Sequence, residues 1–403
     1  MTVPDFGASG VTVPGFRASG VCCGIKERDP DLGLIVSAVP ATAAGVFTRS
    51  SVPGAPVVLA KRRLRSGRKR GVIVNSGISN VAMGARGLRT AEAMTEMAAR
   101  AVGCSPDEML VASTGVIGEP IPLARIRAGV ALAREALAPE GLGDAARAIM
   151  TTDTFPKLAS RRVRVGGRSV TVAGIAKGSG MIEPRMATML AFLLTDAPVA
   201  APFLRRLLRT TAEETFNRVS IDGETSTSDT VLLLANGVAG GAPLRGPRSP
   251  GARALADALL AVCTDLSRDL ARDGEGATKL VTVRVEGAHT RSEAERAARR
   301  IGNSMLVKTA LFGGDPNWGR ILQTVGAGEV RINLERAEVR LGGVAVYRRG
   351  GSAGPRARAR AGKKLAEPEI EIRVDLATGR GRASLWTCDL SYDYVRINAE
   401  YTT

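Results

Sequence analysis

The chain has 403 residues, of which 44% are hydrophobic and 3% aromatic, and its 56 Lys and Arg against 39 Asp and Glu give a formal net charge of +17. This length and apolar content exclude a disordered chain and provide enough core for one large domain or two ordinary ones. No apolar run reaches the roughly 18 residues of a membrane span, and the first ten residues lack the pattern of a secretory signal, so we expect a cytoplasmic protein without membrane contact.

Strands and helices alternate in the first half of the chain. The first twenty residues hold a near-duplication, TVPDFGASG then TVPGFRASG, and residues 1–15 are expected to be disordered. Short apolar runs cut by Gly and Pro, such as LGLIVSAVP and APVVLA, predict strands between Gly20 and Leu59. The patterns that follow predict strands at Gly71–Gly77 and Met109–Gly115, helices at Thr90–Val102 and Leu123–Leu137, and a hairpin over Val163–Val172 around Gly166 and Gly167.

The second half alternates in the same way. A buried strand, MLAFLLTDA, is predicted directly after Thr188, and the arginine-rich stretch Arg348–Lys364 is predicted to be a long exposed loop. No clean domain linker is evident. The predicted fold class is α/β, or α+β, with large mixed β-sheets layered against helices. The remaining predicted helices are Phe203–Val219, Ala252–Asp273 and Arg291–Ile301, and the remaining strands are Val231–Ala235, Leu280–Val285, Val330–Val346, Ile370–Val374 and Ala383–Cys388.

The cysteines and the basic runs indicate which kinds of binding site the chain is expected to contain. The five cysteines are odd in number and lack CxxC spacing, so neither a zinc site nor a disulfide framework is expected; they are Cys22, Cys23, Cys104, Cys263 and Cys388. Basic runs at Lys61–Arg70 and Arg348–Lys364 favour either nucleic-acid contact or a solvated surface. Because so few aromatic residues are available for base stacking, we interpret the runs as solvated surface and expect no nucleic-acid partner.

The segment KGSGMIEPRMATML, Lys177–Leu190, is the most informative stretch for chemistry. It contains one small nucleophile, Thr188, in a chain whose single histidine is His289. A threonine at a chain N-terminus supplies its own base, because its α-amine has a pKa of about 7.7–8.0 and lies within reach of its hydroxyl. Self-cleavage before Thr188 is therefore one hypothesis. The alternative is a structural threonine in an apolar run.

Other residues are candidates for parts of such a site. Thr114 and Gly115, at the end of a predicted strand, offer a hydroxyl and a flexible amide for an oxyanion hole, although an ordinary strand exit has the same pattern. Lys177 is bracketed by glycine and is suited to a substrate carboxylate, unless it is a surface lysine. Glu275, in a glycine-flanked turn, is suited to a substrate ammonium, unless it only ends a helix. The polar chain end includes Asn398 and Thr403 and is either frayed or functional.

Several long blocks of this chain resemble the ornithine acetyltransferase family, the glutamate N-acetyltransferases of the cyclic arginine pathway. The resemblance is centred on AKGSGMIEPRMATMLAFLLTDA and extends over nearly the whole chain. The other matching blocks are GFRASGVCCGIK, AAGVFTRS, STGVIGEPIP, MTTDTFPK, SIDGETSTSDT, DGEGATK, VKTALFGGDPNWGR and NAEYTT. It implies the family's fold, that of a self-processing N-terminal-nucleophile enzyme.

The resemblance also implies site residues. Thr188 is the implied nucleophile, with cleavage between Ala187 and Thr188, and Thr114 and Gly115 match the family's oxyanion hole. Cleavage divides the chain into an α chain, residues 1–187, and a β chain, residues 188–403. The implied substrate contacts are Thr151 or Thr152, Lys177, Thr188, Glu275, Asn398 and Thr403.

The implied reaction is a ping-pong transfer of acetyl from N-acetylornithine to glutamate through an acetyl-threonine, without metal, nucleotide or coenzyme. The implied assembly holds two α and two β chains. Glu183 and Arg185 stand where the family commonly has small or neutral residues, and Ile78 stands where asparagine is usual. The acidic Glu183 close to the cut resembles paralogues found in antibiotic gene clusters. Acetyl transfer to a related amino acid and a self-processed amidohydrolase or aminopeptidase are the alternatives.

Overall fold

The computed structural model describes residues 10–65, 67–183 and 189–400, which form two compact units. The first unit comprises the described residues up to 217 together with 225–266, and the second comprises 218–224 and 267–400. Of residues 1–15, where disorder is predicted, residues 1–9 lie outside the described part of the chain. Residues 10–15 are described, and there Val13 is 3% exposed and the Gly15 carbonyl accepts a hydrogen bond from Ala38 N–H at 2.8 Å. None of the helices in the described ranges is both long and apolar enough to cross a membrane.

The first unit contains a mixed sheet of eight strands. Their order is β4-β3-β2-β8-β7-β6-β5, with β1 paired to β2; β3/β4 and β7/β8 are parallel and the other pairs antiparallel. The strands are β1 (Phe16–Val21), β2 (Leu32–Phe47), β3 (Lys69–Asn75), β4 (Met109–Ser113), β5 (Lys157–Val165), β6 (Arg168–Lys177), β7 (Leu190–Thr195) and β8 (Thr230–Ala235).

Helices cover both faces of this sheet. Ile73 of β3 belongs to one buried cluster with Met94 and Ile126 of the helices α2 and α3. Phe192 of β7 belongs to a second cluster with Leu142 of α4. The helices are α1 (Ala55–Arg63), α2 (Gly84–Val102), α3 (Leu123–Glu135), α4 (Leu142–Ala148), α5 (Ala201–Glu214) and α6 (Ala252–Arg272), and short 3₁₀ helices occur at Pro106–Glu108 and Phe216–Arg218.

The second unit is built on a six-stranded sheet with the order β12-β11-β10-β13-β9-β14, in which β9 and β13 are parallel. Its strands are β9 (Leu280–Ala288), β10 (Glu338–Leu341), β11 (Val344–Arg348), β12 (Gly351–Ser352), β13 (Glu369–Asp375) and β14 (Gly381–Cys388). Its helices are α7 (Arg291–Asn303), α8 (Met305–Phe312), α9 (Trp318–Gly326), α10 (Pro355–Lys364) and α11 (Tyr392–Glu400). The mixed α/β architecture predicted from the sequence is confirmed in both units.

Local sequence explains several elements directly. All six residues of β7 are buried, as expected for a continuous apolar run between two neighbouring strands. The turn between β5 and β6 uses Gly166 and Gly167, both at positive φ, which matches the predicted hairpin. The Thr290 hydroxyl accepts a hydrogen bond from Glu293 N–H and caps the start of α7.

Two structural predictions were wrong. The run APVVLA, predicted as a strand, forms α1, because Pro56 lies in the first turn, where proline favours a helix start. The stretch Arg348–Lys364, predicted as a loop, contains the end of β11, then β12 and α10, whose first residue is Pro355. In both places the proline signalled a helix N-terminus more strongly than it signalled a break.

Candidate active site

Strand ends that are distant in sequence meet at one edge of the first unit's sheet. Lys177 at the end of β6 pairs with Leu190 at the start of β7, and Leu190 pairs with Thr230 at the start of β8. Lys157, at the start of β5, pairs with Ala176. The first residues of β5, β7 and β8 therefore lie beside one another around the end of β6.

Lys177 lies at the centre of this edge and is 3% exposed. Its Nζ donates hydrogen bonds to the Thr151 hydroxyl at 2.8 Å and to the Thr114 hydroxyl at 3.2 Å. The structure thus brings together three of the residues that the sequence predicts for the site. It also distinguishes the neighbouring threonines, since the Thr151 side chain is the one that contacts Lys177.

Thr114 and Gly115 follow β4 in a backbone arrangement that requires glycine. Gly115 has φ +124°, and a Cβ atom there would lie 2.3 Å from the carbonyl carbon of Gly77. The Thr114 N–H donates to the Asn75 carbonyl, whereas the Gly115 N–H has no acceptor within residues 10–65, 67–183 and 189–400. The Thr114 hydroxyl and the Gly115 N–H are therefore adjacent donors suited to a carbonyl oxygen that gains negative charge.

Asp153 organises the loop that precedes β5. Its Oδ1 accepts hydrogen bonds from Lys157 Nζ and from Gly178 N–H, both at 2.7 Å, and its Oδ2 accepts one from Thr151 N–H at 3.0 Å. The side chains of Asp153 and Lys157 are fully buried. Burial alone would raise the pKa of the Asp153 carboxyl, but the charges of Lys157 and Lys177 outweigh it and hold the pKa well below its usual range.

Asp229, directly before β8, is a second buried acid at this edge, with 1% exposure. Its Oδ1 accepts a hydrogen bond from Met189 N–H at 3.0 Å. Burial raises the pKa of the Asp229 carboxyl well above its ordinary value, against the lowering effects of the Met189 N–H and the charge of Lys177. Neither Asp153 nor Asp229 was predicted as a site residue from the sequence, although Asp153 lies in the block MTTDTFPK and Asp229 in SIDGETSTSDT. Nothing in the neighbouring residues distinguishes these two from acids on the surface.

Two predicted substrate residues lie together in the second unit. Asn398 of α11 donates a hydrogen bond from Nδ2 to Glu275 Oε2 at 2.8 Å. The turn approaches α11 closely at Gly276, where a Cβ atom would lie 2.6 Å from Tyr394 N. Glu275 and Asn398 are thus neighbours within the second unit, and their predicted role in substrate binding stays a prediction.

The predicted nucleophile and its neighbours lie outside the described residues. These are Arg185, Ala187 and Thr188, and the same holds for the predicted substrate contact Thr403. Glu183 is described and half-buried. Within the described ranges, no group of three His, Cys, Asp or Glu side chains is placed to hold a metal ion.

The described part of the site favours chemistry in which an oxygen atom becomes negatively charged. It offers a hydroxyl and a backbone N–H side by side, with the Lys177 ammonium in contact with that hydroxyl. Donors fixed in a buried place stabilise such a charge without having to reorganise. Acyl transfer through a tetrahedral intermediate is a reaction of this kind.

The chain is similar to known proteins over nearly its whole length. A model of the ArgJ family matches residues 17–403. The arginine biosynthesis bifunctional protein ArgJ of Symbiobacterium thermophilum is 49% identical over 98% of this chain and 99% of its own length. The protein of the same name from Bacillus subtilis is 43% identical over 96% of this chain and 95% of its own length.

A solved structure is similar as well. The crystal structure of the arginine biosynthesis bifunctional protein argJ from Bacillus halodurans matches with a TM-score of 0.50 and 41% sequence identity. The match covers 52% of this chain and 98% of that chain. The solved chain is therefore about half as long as this one.

Proposed function

This chain belongs to the ArgJ family, and we propose that it is a self-processing acyltransferase that moves an acetyl group from N2-acetyl-L-ornithine to L-glutamate. The observation that supports this most directly is the contact of Lys177 with the Thr114 and Thr151 hydroxyls, beside the Gly115 N–H, which has no acceptor among the described residues. An acetyl group is transferred through a tetrahedral oxyanion, which this arrangement is suited to stabilise. The substrates are small anionic or zwitterionic molecules, which suits a basic protein.

We further propose that the chain cuts itself between Ala187 and Thr188. Thr188 Oγ attacks the Ala187 carbonyl, and hydrolysis of the resulting ester releases an α chain of residues 1–187 and a β chain of residues 188–403. The half-length solved chain of the Bacillus halodurans relative supports a division near the middle. Two α and two β chains are proposed to assemble into the working enzyme.

In the processed enzyme the new α-amine of Thr188 is proposed to act as general base and acid. The Thr188 hydroxyl takes acetyl from N-acetylornithine, ornithine leaves, and glutamate then removes the acetyl group from the acetyl-threonine. Thr114 and Gly115 stabilise the oxyanion of each tetrahedral intermediate. Lys177 is proposed to bind a substrate carboxylate, and Glu275 is proposed to bind a substrate ammonium group. Thr151, Asn398 and Thr403 complete the proposed substrate contacts.

Dependence on the acceptor tests the reaction type. Purified protein is incubated with N-acetylornithine, with and without glutamate, and ornithine and N-acetylglutamate are measured. We expect sustained ornithine release only when glutamate is present, and about one equivalent of ornithine per processed chain without it, because the acetyl-threonine then accumulates. Sustained release that is indifferent to glutamate would instead assign the protein as a hydrolase.

Replacement of Thr114 with valine tests the oxyanion hole. Valine keeps the shape of threonine but removes the hydroxyl, so we expect the kcat of acetyl transfer to fall on the order of 100-fold or more. The matched control is Thr152→Val. It removes a hydroxyl that takes no part in the contacts of Lys177 with Thr114 and Thr151, and it is expected to change kcat less than about 3-fold. Equal losses in the two variants would remove Thr114 from the proposed mechanism.

A further inference from the structure

A cavity of about 600 Å³ lies in the first unit, at the end of β8 that points away from the candidate active site. Strand β8 begins at Thr230, which pairs with Leu190 beside Lys177, and ends at Ala235, which lines the cavity. Five residue steps along a strand, at about 3.3 Å each, separate the two strand ends by roughly 17 Å. The cavity is therefore distinct from the candidate active site.

The charged residues that line this cavity are all arginines, namely Arg65, Arg68, Arg205 and Arg245. All four are exposed, and two of them belong to the basic run Lys61–Arg70. No acid is among the described lining residues, and none of the four forms an ion pair in the described ranges, whereas the nearby Arg62 pairs with Glu92. Positive charges that share one space repel each other, and an anion between them relieves that repulsion.

Backbone hydrogen bonds fix the segments that carry two of these arginines. Arg205 lies near the N-terminal end of α5, and Arg245 directly follows Leu244. The Leu244 N–H donates to the Pro198 carbonyl at 2.9 Å, and the Leu244 carbonyl accepts from the N–H of Ala200, the residue before α5, at 3.0 Å. The backbone positions of Arg205 and Arg245 are therefore set relative to each other before any ligand binds.

A second arginine-lined cavity, of about 700 Å³, has a simpler explanation. Arg100 and Arg134 line it from the last turns of α2 and α3, and Glu135 lines it as well. Positive charge at the C-terminal end of a helix stabilises that helix, but at the N-terminal end it is unfavourable. Arg205 is near the N-terminal end of α5, whose first turn contains no acid. Helix stability thus accounts for Arg100 and Arg134 and not for Arg205.

The walls of the first cavity indicate the class of ligand. Apolar side chains, including Leu64, Val199 and Pro243, line it together with the arginines. Its volume falls within the range of about 300–1,000 Å³ that is usual for small-molecule sites, and it exceeds the space that a single phosphate ion occupies. A guanidinium group binds phosphate through two parallel hydrogen bonds and also stacks on flat rings. This combination suits a molecule with several phosphates and a ring-shaped body.

We propose that this cavity binds a nucleoside di- or triphosphate. Its phosphates contact Arg205 and Arg245, and its base and sugar lie against the apolar wall. No carboxylate among the described lining residues is available to hold a magnesium ion, so the metal-free nucleotide is the expected ligand. The inference depends neither on the cut before Thr188 nor on acetyl transfer.

The test is calorimetric titration of the purified full chain with ATP, at low salt and with EDTA present. In the double variant Arg205→Gln and Arg245→Gln we expect the Kd for ATP to rise by at least about 10-fold, because charge-assisted hydrogen bonds to phosphate are lost. The matched control is Arg100→Gln with Arg134→Gln, which removes the same charge at the second cavity and is expected to change the Kd less than about 3-fold. Equal losses would show that ATP responds only to net charge, which rejects the site.

Two other anions test the class of ligand. Inorganic tripolyphosphate lacks the base and sugar, and citrate lacks phosphate, so each is expected to bind at least about 10-fold more weakly than ATP. Tripolyphosphate that binds as tightly as ATP would reject a nucleotide in favour of a bare polyanion, and citrate that does so would reject the preference for phosphate. A wild-type chain that binds no ATP at about 1 mM would overturn the proposal outright.

Protection from phenylglyoxal, which modifies exposed arginines, locates the ligand without any substitution. We expect ATP to slow the modification of Arg205 and Arg245, measured by peptide mass, and to leave Arg100 and Arg134 unprotected. Protection of the second pair alone, or of neither pair, would contradict the assignment even if a variant failed to fold. Acetyl transfer assayed without nucleotide is expected to stay within about 3-fold of wild type in the Arg205→Gln and Arg245→Gln variant, so failure of this inference leaves the proposed function intact.

Discussion

The Thr188→Ala variant is expected to remain one uncut chain of 403 residues and to lose acetyl transfer by at least about 10⁴-fold. The substitution removes the hydroxyl that is proposed to attack Ala187 and to carry the acetyl group. Because no cut occurs, the α-amine proposed as base never forms, and both proposed roles are lost together. Intact mass and an assay of N-acetylglutamate formation measure the two losses separately.

Thr188→Ser is the matched control, since it restores a hydroxyl and, after cleavage, a terminal amine. It is expected to be cut and to keep measurable transfer. A Thr188→Ala chain that is cut at the same bond would place the nucleophile elsewhere. An uncut Thr188→Ala chain with wild-type transfer would show that transfer needs neither the hydroxyl nor the amine.

Removal of the Asp153 carboxylate is expected to have the largest effect on stability. In Asp153→Ala, the fully buried Lys157 loses the carboxylate that lies 2.7 Å from its Nζ, and Lys177 loses a compensating charge. Breaking a buried ion pair from one side costs about 3–5 kcal/mol. Hydrogen exchange at the amides of β5 and β6 reports the local free energy of opening, which should fall by that amount.

Two further variants help to explain the expected loss of stability in Asp153→Ala. Asp144→Ala breaks an exposed pair with Arg147 and is expected to cost less than about 1 kcal/mol. Asp153→Ala combined with Lys157→Met removes both buried charges and should regain most of the stability. It should not regain acetyl transfer, because the carboxylate that holds Thr151 N–H is still absent. If Asp153→Ala is as stable as the wild type, the buried pair does not support the site.

The Asp153 pair also has a predictable pH dependence. Its pKa is lowered in the folded chain, so its stabilisation is present above the ordinary carboxyl range and is lost as the pH falls towards the folded pKa. The wild type should therefore lose stability in strongly acidic solution through this group. The Asp153→Ala variant should lack that component of the acid dependence.

Some helices and strands were predicted correctly because a pattern of a few consecutive residues is enough to indicate them. The apolar run after Thr188 predicted β7, and the glycine pair at Gly166 and Gly167 predicted the hairpin. The run APVVLA, which contains Pro56, and the stretch Arg348–Lys364, which contains Pro355, were mispredicted because proline both breaks a strand and begins a helix. Only the packing of the neighbouring residues decides between those two uses.

The family, the mixed α/β class and the candidate residues Lys177, Thr114 and Gly115 follow from the sequence alone, because motifs and apolar periodicity lie within short stretches of the chain. Which side chains contact one another is evident only from the three-dimensional structure. It placed Thr151 against Lys177, 26 residues away, and Thr114 against the same lysine, 63 residues away. It also buried Asp153 and Asp229 at the edge where β5 to β8 begin or end. These contacts depend on strand order and register, which join distant segments and leave no periodic trace in the sequence.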